Sequence, residues 1–193
     1  MRNFHNYIIL SLFLYFACGE IKQPPGVFAP DIPKQSQVTQ AKTWDKNDYH
    51  FTALAKFDLQ AKVLGKERYR YDRESDIAPY DLALGWGRMS DQTVVDRLDI
   101  SQRTRWFFWE TKAYPIPRKE IESSSANMHI VPANEQVENE LDDILVGEII
   151  LLEGYLVAVN ADDGWKWKSS LSREDTGGGA CEVVWVEKLL RLK

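Results

Sequence analysis

The chain is poor in cysteine. Of its 193 residues only Cys18 and Cys181 carry a thiol. Cys18 ends an N-terminal apolar segment, so the body of the chain holds one cysteine and is not a disulfide-stapled scaffold. Histidine is nearly as scarce, with three in all. No His-x-x-x-His pair and no closely spaced Cys set occurs, which removes the usual zinc spacings. Asp162 and Asp163 with Asp175 offer oxygen ligands, but no EF-hand pattern surrounds them, and Asp162-Asp163-Gly164 reads as a turn. No metal and no cofactor is expected. Basic charge is not in excess either: the formal net charge is -5, which argues against a nucleic-acid partner. No apolar run approaches the roughly 17–25 residues that a membrane-crossing helix needs.

What is present begins with a targeting segment. Arg2 precedes a nearly continuous apolar run from Tyr7 to Phe16, and Ala17-Cys18-Gly19 follows at the distance expected for cleavage. Residues 1–18 are read as a signal peptide. Leu14-Tyr15-Phe16-Ala17-Cys18 resembles the lipobox of bacterial lipoproteins, with small Ala17 before the cysteine. That resemblance implies lipid attachment at Cys18 and a protein exported to the bacterial cell envelope, facing the periplasm or exterior; ordinary cleavage near Gly19 is the alternative. Residues 19–46 carry Pro24-Pro25-Gly26, Pro30, Pro33 and a polar run, and are read as a flexible tether. Val27-Phe28 is the piece of it able to dock. Residues 47–193 are left for a single globular β-rich domain.

Period-two patterning dominates that domain. Phe51, Ala53 and Ala55 share a parity that Phe57, Leu59, Ala61 and Val63 continue, which predicts a strand, with a turn at Gly65. Trp106-Phe107-Phe108-Trp109 predicts a strand buried on much of both faces. Ser90-Asp91 predicts a helix cap. Asn134 to Leu145 predicts an amphipathic helix with Asn134 at its cap and Val137, Leu141, Ile144 and Leu145 along one stripe. Glu148 to Val159 predicts one bent strand or two, and Glu182 to Glu187 a last one. The expected class is α+β: a mostly antiparallel, small, barrel-like sheet with one or two covering helices. The piece running from the helix through Gly147 to Val157 is similar to strands of oligonucleotide-binding (OB) or SH3-like barrels.

Three segments concentrate unusual chemistry: Asp81 to Asp91, Ser125 to Ala133, and Trp167 to Glu182. Through these the chain resembles a family of uncharacterised exported bacterial proteins, over roughly His50 to Trp185. The resemblance implies an envelope location and brings no activity with it.

The candidate residues follow from their types. His129 is the natural proton carrier, with Cys181, Ser170 or Ser172 as nucleophile and Asp175 as orienting carboxylate. No Gly-x-Ser-x-Gly elbow accompanies the serines, and a buried structural His or Cys explains the same residues without chemistry. Asp175-Thr176-Gly177 has no second copy, which an aspartic-protease pair requires. A binding role draws on Trp86, Arg88, Trp165, Trp167 and Arg173, and on the backbone donors of Gly177, Gly178 and Gly179. The sequence thus favours an envelope-anchored domain that binds a small molecule, a saccharide or an envelope protein through a polar Gly-rich cleft. The alternative is a small hydrolase or transferase built on His129.

Overall fold

The computed structural model describes residues 19–172 and 181–192. In chain order its elements are β1 (Lys34–Gln37), β2 (Thr43–Lys46), β3 (Tyr49–Arg68), β4 (Tyr80–Gly85), α1 (Gln92–Val95), β5 (Asp99–Arg103), β6 (Trp106–Glu110), α2 (Arg118–Ser123), β7 (Ser125–Pro132), α3 (Glu135–Asp143), β8 (Ile149–Ala161), β9 (Lys166–Lys168) and β10 (Glu182–Leu192). The fold is mixed and mostly sheet. A large sheet runs β1-β3-β4-β7-β10-β8-β9, with β2 also on β3. Strand β3 pairs β4 through Lys62–Arg68 and β8 through Tyr49–Lys62, so the pairings β3-β4-β7-β10-β8 return to β3. All of these are antiparallel except β7 with β10.

The faces of this circuit follow from residue parity interrupted by bulges. On β8 the even positions Ile150, Leu152 and Leu156 point into the main core, while Val157 and Val159 point to the other face. On β3 the register slips between Ala53 and Ala55. A one-residue slip turns every later side chain over. Phe51, opposite Val159, therefore faces outward, and Phe57, opposite Gly154, faces inward despite equal parity. A second slip between Val63 and Gly65 continues β3 past Gly65 to Arg68, so the predicted turn at Gly65 is a bulge inside one long strand. Each of the five circuit strands supplies side chains to the inner core, including Phe57 and Leu59, Leu82, Met128, Val184 and Leu152. Helix α3 closes it with Val137 and Leu141, capped at Val137 N by the Asn134 side chain at 3.0 Å.

Two further expectations are corrected. Residues 19–46 are laid against the domain. Ile21 N donates to Val146 O at 2.8 Å, Phe28 N and Ala29 N donate to Ser90 Oγ at 3.1 and 3.0 Å, and β1 and β2 pair with β3. Ser90 and Asp91 hold both this strap and α1, because Asp91 accepts from Thr93 N and Gly26 N. Second, Trp106–Trp109 is not buried on both faces. It forms β6 of a β5–β6 hairpin. Phe107 and Trp109 pack inward on Leu64, Ala83 and Ile121, while Trp106 and Phe108 are 38% and 37% exposed. Its turn residues Thr104 and Arg105 both have positive φ, 49° and 68°, the backbone of a tight hairpin turn without glycine.

Candidate functional site

The outer face of β4 and β7 is polar between two apolar patches. Tyr80, Leu82, Ile130 and Met128 face the core, so the alternate residues Asp81, Asn127 and His129 face out, with Asp81 directly opposite His129. The β5–β6 hairpin covers them, and Arg105 reaches back from its turn. Its Nη1 donates to Asp81 Oδ1 at 2.7 Å, and its Nε and Nη2 grip Asp72 at 2.9 and 2.6 Å. His129 Nδ1 lies 2.9 Å from the same Asp81 oxygen, and Asn127 Nδ2 donates to the other at 3.1 Å. Gln102 Nε2 donates to Asn127 Oδ1 at 2.8 Å. Asp81 is wholly buried. A buried carboxylate needs this many donors to offset its lost hydration. Burial works against the Arg105 charge, but Asp72 and Asp81 outweigh it and raise its pKa; Arg105 in turn lowers that of Asp72. Arg105 N also donates to Tyr69 Oη, which supports the positive-φ turn.

This arrangement holds the hairpin, β4, β7 and the 69–79 loop together. It does not assemble a nucleophile. His129 is 4% exposed, its Nδ1 is engaged by Asp81, and its ring lies 4.9 Å from that of Trp167. Among the described residues no hydrogen bond joins it to Ser170, Ser172 or Cys181. Those three meet each other instead: Ser170 N donates to Cys181 O at 3.1 Å, and Ser170 Oγ donates to Ser172 O at 3.2 Å. They close the neck of the loop between β9 and β10. Asp175, Arg173, Gly177, Gly178, Gly179 and Cys18 lie outside the described residues.

The binding candidates separate. Trp86, expected at a cleft, is 2% exposed and belongs to the inner core. Arg88 beside it is paired through Nε and Nη2 with Glu120. Trp165 and Trp167 do come together, with ring centroids 6.1 Å apart on the outer face. No family model matches the sequence, no curated protein is similar to it, and no solved structure matches its fold.

Beside Trp165 lies an open cleft of about 600 Å³ lined by Asp48, Tyr49, Arg73, Asp76, Asp162 and Asp163, among others. Arg73 lies in a charged loop whose sequence carries no motif that marks it. Its guanidinium sits 4.9 Å from the Trp165 ring and bonds both oxygens of Asp163, at 2.7 and 3.0 Å. Tyr49 Oη donates to Asp76 at 3.0 Å. Among the described residues no group of three or more His, Cys, Asp or Glu is placed to hold a metal.

At the same end His50 is clasped between Asp45, 2.7 Å from Nδ1, and Asp162, 2.9 Å from Nε2. Hydrogen bonding to Asp45, then Asp162, raises its pKa above the ordinary histidine value. A raised folded-state pKa adds stability that is complete below about 6.5, the unfolded value, and is lost as pH rises through the folded one. NMR titration is expected to place the His50 midpoint above that of a free histidine. Asp45→Asn and Asp162→Asn should each lower it; a wild-type midpoint at or below the free value refutes the clasp.

Proposed function

We propose that this chain is a non-enzymatic binding domain of the bacterial envelope, lipid-anchored at Cys18, and that its ligand is a saccharide. The strand circuit supports reading the core as a small OB-type barrel: five strands closed in the order first-second-third-fifth-fourth, with the third and fifth parallel. Barrels of that type bind along their second and third strands and at the loops after the first and fourth. Here those loops are residues 69–79, which carry Arg73, and the turn after β8, which carries Asp162 and Asp163. The observation that carries the reading is their convergence with Tyr49 on one cleft, where Trp165 packs behind Tyr49 and Arg73. Carboxylates and a guanidinium bond vicinal hydroxyls in pairs, and an aromatic ring such as that of Tyr49 packs against the apolar face of a sugar ring. Oligonucleotides, the other ligand class of such barrels, are disfavoured by the carboxylates of the cleft.

The test is calorimetric titration with N-acetylglucosamine oligomers. Binding at or below about 1 mM is expected, with Arg73→Ala and Trp165→Ala each weakening it at least about tenfold. Absence of binding by the wild-type chain up to about 10 mM, or wild-type affinity retained in both variants, removes the reading.

A further inference from the structure

A second cleft lies at the other end of β3, between that strand, α1, β5 and the N-terminal strap, with a volume of about 460 Å³. Small-molecule sites occupy roughly 300–1,000 Å³. At its floor is Lys62, 1% exposed. The Lys62 Nζ donates to Gln92 Oε1, a neutral amide. Among the described residues no carboxylate pairs with it: Asp96, Asp91 and Glu20 act on it from beyond ion-pair distance. Asp96 is committed to Gln92 Nε2 at 2.9 Å and to Lys22 at 3.5 Å.

A buried ammonium with one neutral partner is costly, and an apolar side chain of the same length would serve packing better. Burial accordingly pushes the Lys62 amine below the usual lysine range, against the pull of Asp96, Asp91 and Glu20. The position therefore calls for a counter-ion that the chain itself does not supply. The rim is acidic on balance: Glu20, Glu67 and Asp96 stand against Lys66, whose Nζ donates to Asp142 O and Ile144 O. Glu20 is exposed, the Asp96 side chain is 47% exposed, and Glu67 is partly exposed. Leu98, Ile100 and Val95 form an apolar wall between floor and rim. A simple anion would meet the rim carboxylates on entry, and a simple cation would meet Lys62 at the floor.

We propose that this cleft is a binding site for a small zwitterion of the apolar α-amino-acid type. The ligand carboxylate reaches Lys62 at the floor. Its ammonium stays at the carboxylate rim, and its side chain lies on Leu98 and Ile100. The strap contributes directly, because Gln23 N also donates to the Gln92 Oε1 that orients Lys62.

The experiment uses residues 19–193, a span that contains every described element. Leucine is titrated against 4-methylpentanoate and 3-methylbutylamine, which keep only one charge each, with amide chemical shifts as readout. Leucine is expected to bind in the micromolar to millimolar range, shifting the amides of Gln92, Leu98 and Ile100, and to bind at least about tenfold tighter than either analogue. Lys62→Met should abolish that binding while leaving the fold at least as stable in urea. Should Lys62→Met fail to fold, the exposed Asp96→Asn decides: it should bring leucine down to the affinity of 4-methylpentanoate. No shift with leucine up to about 10 mM, equal binding of the carboxylate analogue, or unchanged binding in both variants overturns the proposal.

Discussion

Asp81→Ala is expected to lower folding stability by about 3–5 kcal/mol, the cost of removing one partner from a buried ion pair. The wholly buried carboxylate accepts from Arg105 at 2.7 Å and Asn127 at 3.1 Å and holds His129 at 2.9 Å. Its removal leaves Arg105, whose side chain is only 14% exposed, with the Ala78 carbonyl and a single carboxylate, Asp72, at the edge of solvent. The β5–β6 hairpin then loses the tie that binds its turn to β4. Urea denaturation measures the loss directly, and the melting midpoint should drop by roughly 2–4 °C per kcal/mol. Arg105→Met in the wild-type background should cost a similar amount. Combining the two should cost clearly less than their sum, because the double variant leaves neither charge stranded. A loss under about 1 kcal/mol for Asp81→Ala, the scale of an exposed pair, would show the network to be solvated.

That network also marks where reading the sequence stopped. His129 was legible as a chemically interesting residue on a short strand, and both its strand and the capped helix after it are where the residues put them. Its partner was not legible, since Asp81 stands 48 positions away and only the β4–β7 register brings the two opposite. Arg105 was hidden for a local reason. Thr104-Arg105 carries none of the Asn or Gly that usually announce a two-residue hairpin turn, so the sequence gives no signal for β5 and predicts β6 as a doubly buried strand. The period-two signal on β3 was correct in kind, but parity alone cannot reveal the slip at Ala53–Ala55 that sends Phe51 outward and Phe57 inward. The proline and polar composition of the strap speaks only to intrinsic preference. Its order comes from Ser90, Asp91 and Gln92 accepting its backbone donors. The rings of Trp165 and Trp167 lie 6.1 Å apart, while Arg73, 4.9 Å from the Trp165 ring, carries no local signature at all.

Gly154 allows the sharpest test of the strand circuit, because β8 is paired on both sides there, with Phe57 of β3 and Val186 of β10. A Cβ at this position would collide with Trp185 O, and would stand 3.0 Å from Trp185 C and 3.1 Å from Val186 Cα. These are backbone atoms of a strand that is itself held by β7, so neither side can retreat without breaking ladder hydrogen bonds. Gly154→Ala should therefore cost at least the ~1–3 kcal/mol of an overpacked core, and Gly154→Val more. Gly164→Ala is the control. Gly164 has a positive φ of 89°, but nothing lies within 4 Å of its added Cβ, so it bears conformational strain without collision. That strain is worth roughly 1–2 kcal/mol. Hydrogen exchange distinguishes the two effects. Gly154→Ala should speed exchange along Val184–Val186 and Leu152–Leu156, whereas Gly164→Ala should loosen the β8–β9 turn alone. Equal and local effects from both substitutions would mean that β8 and β10 are not closely apposed, and that the pairings do not close on themselves.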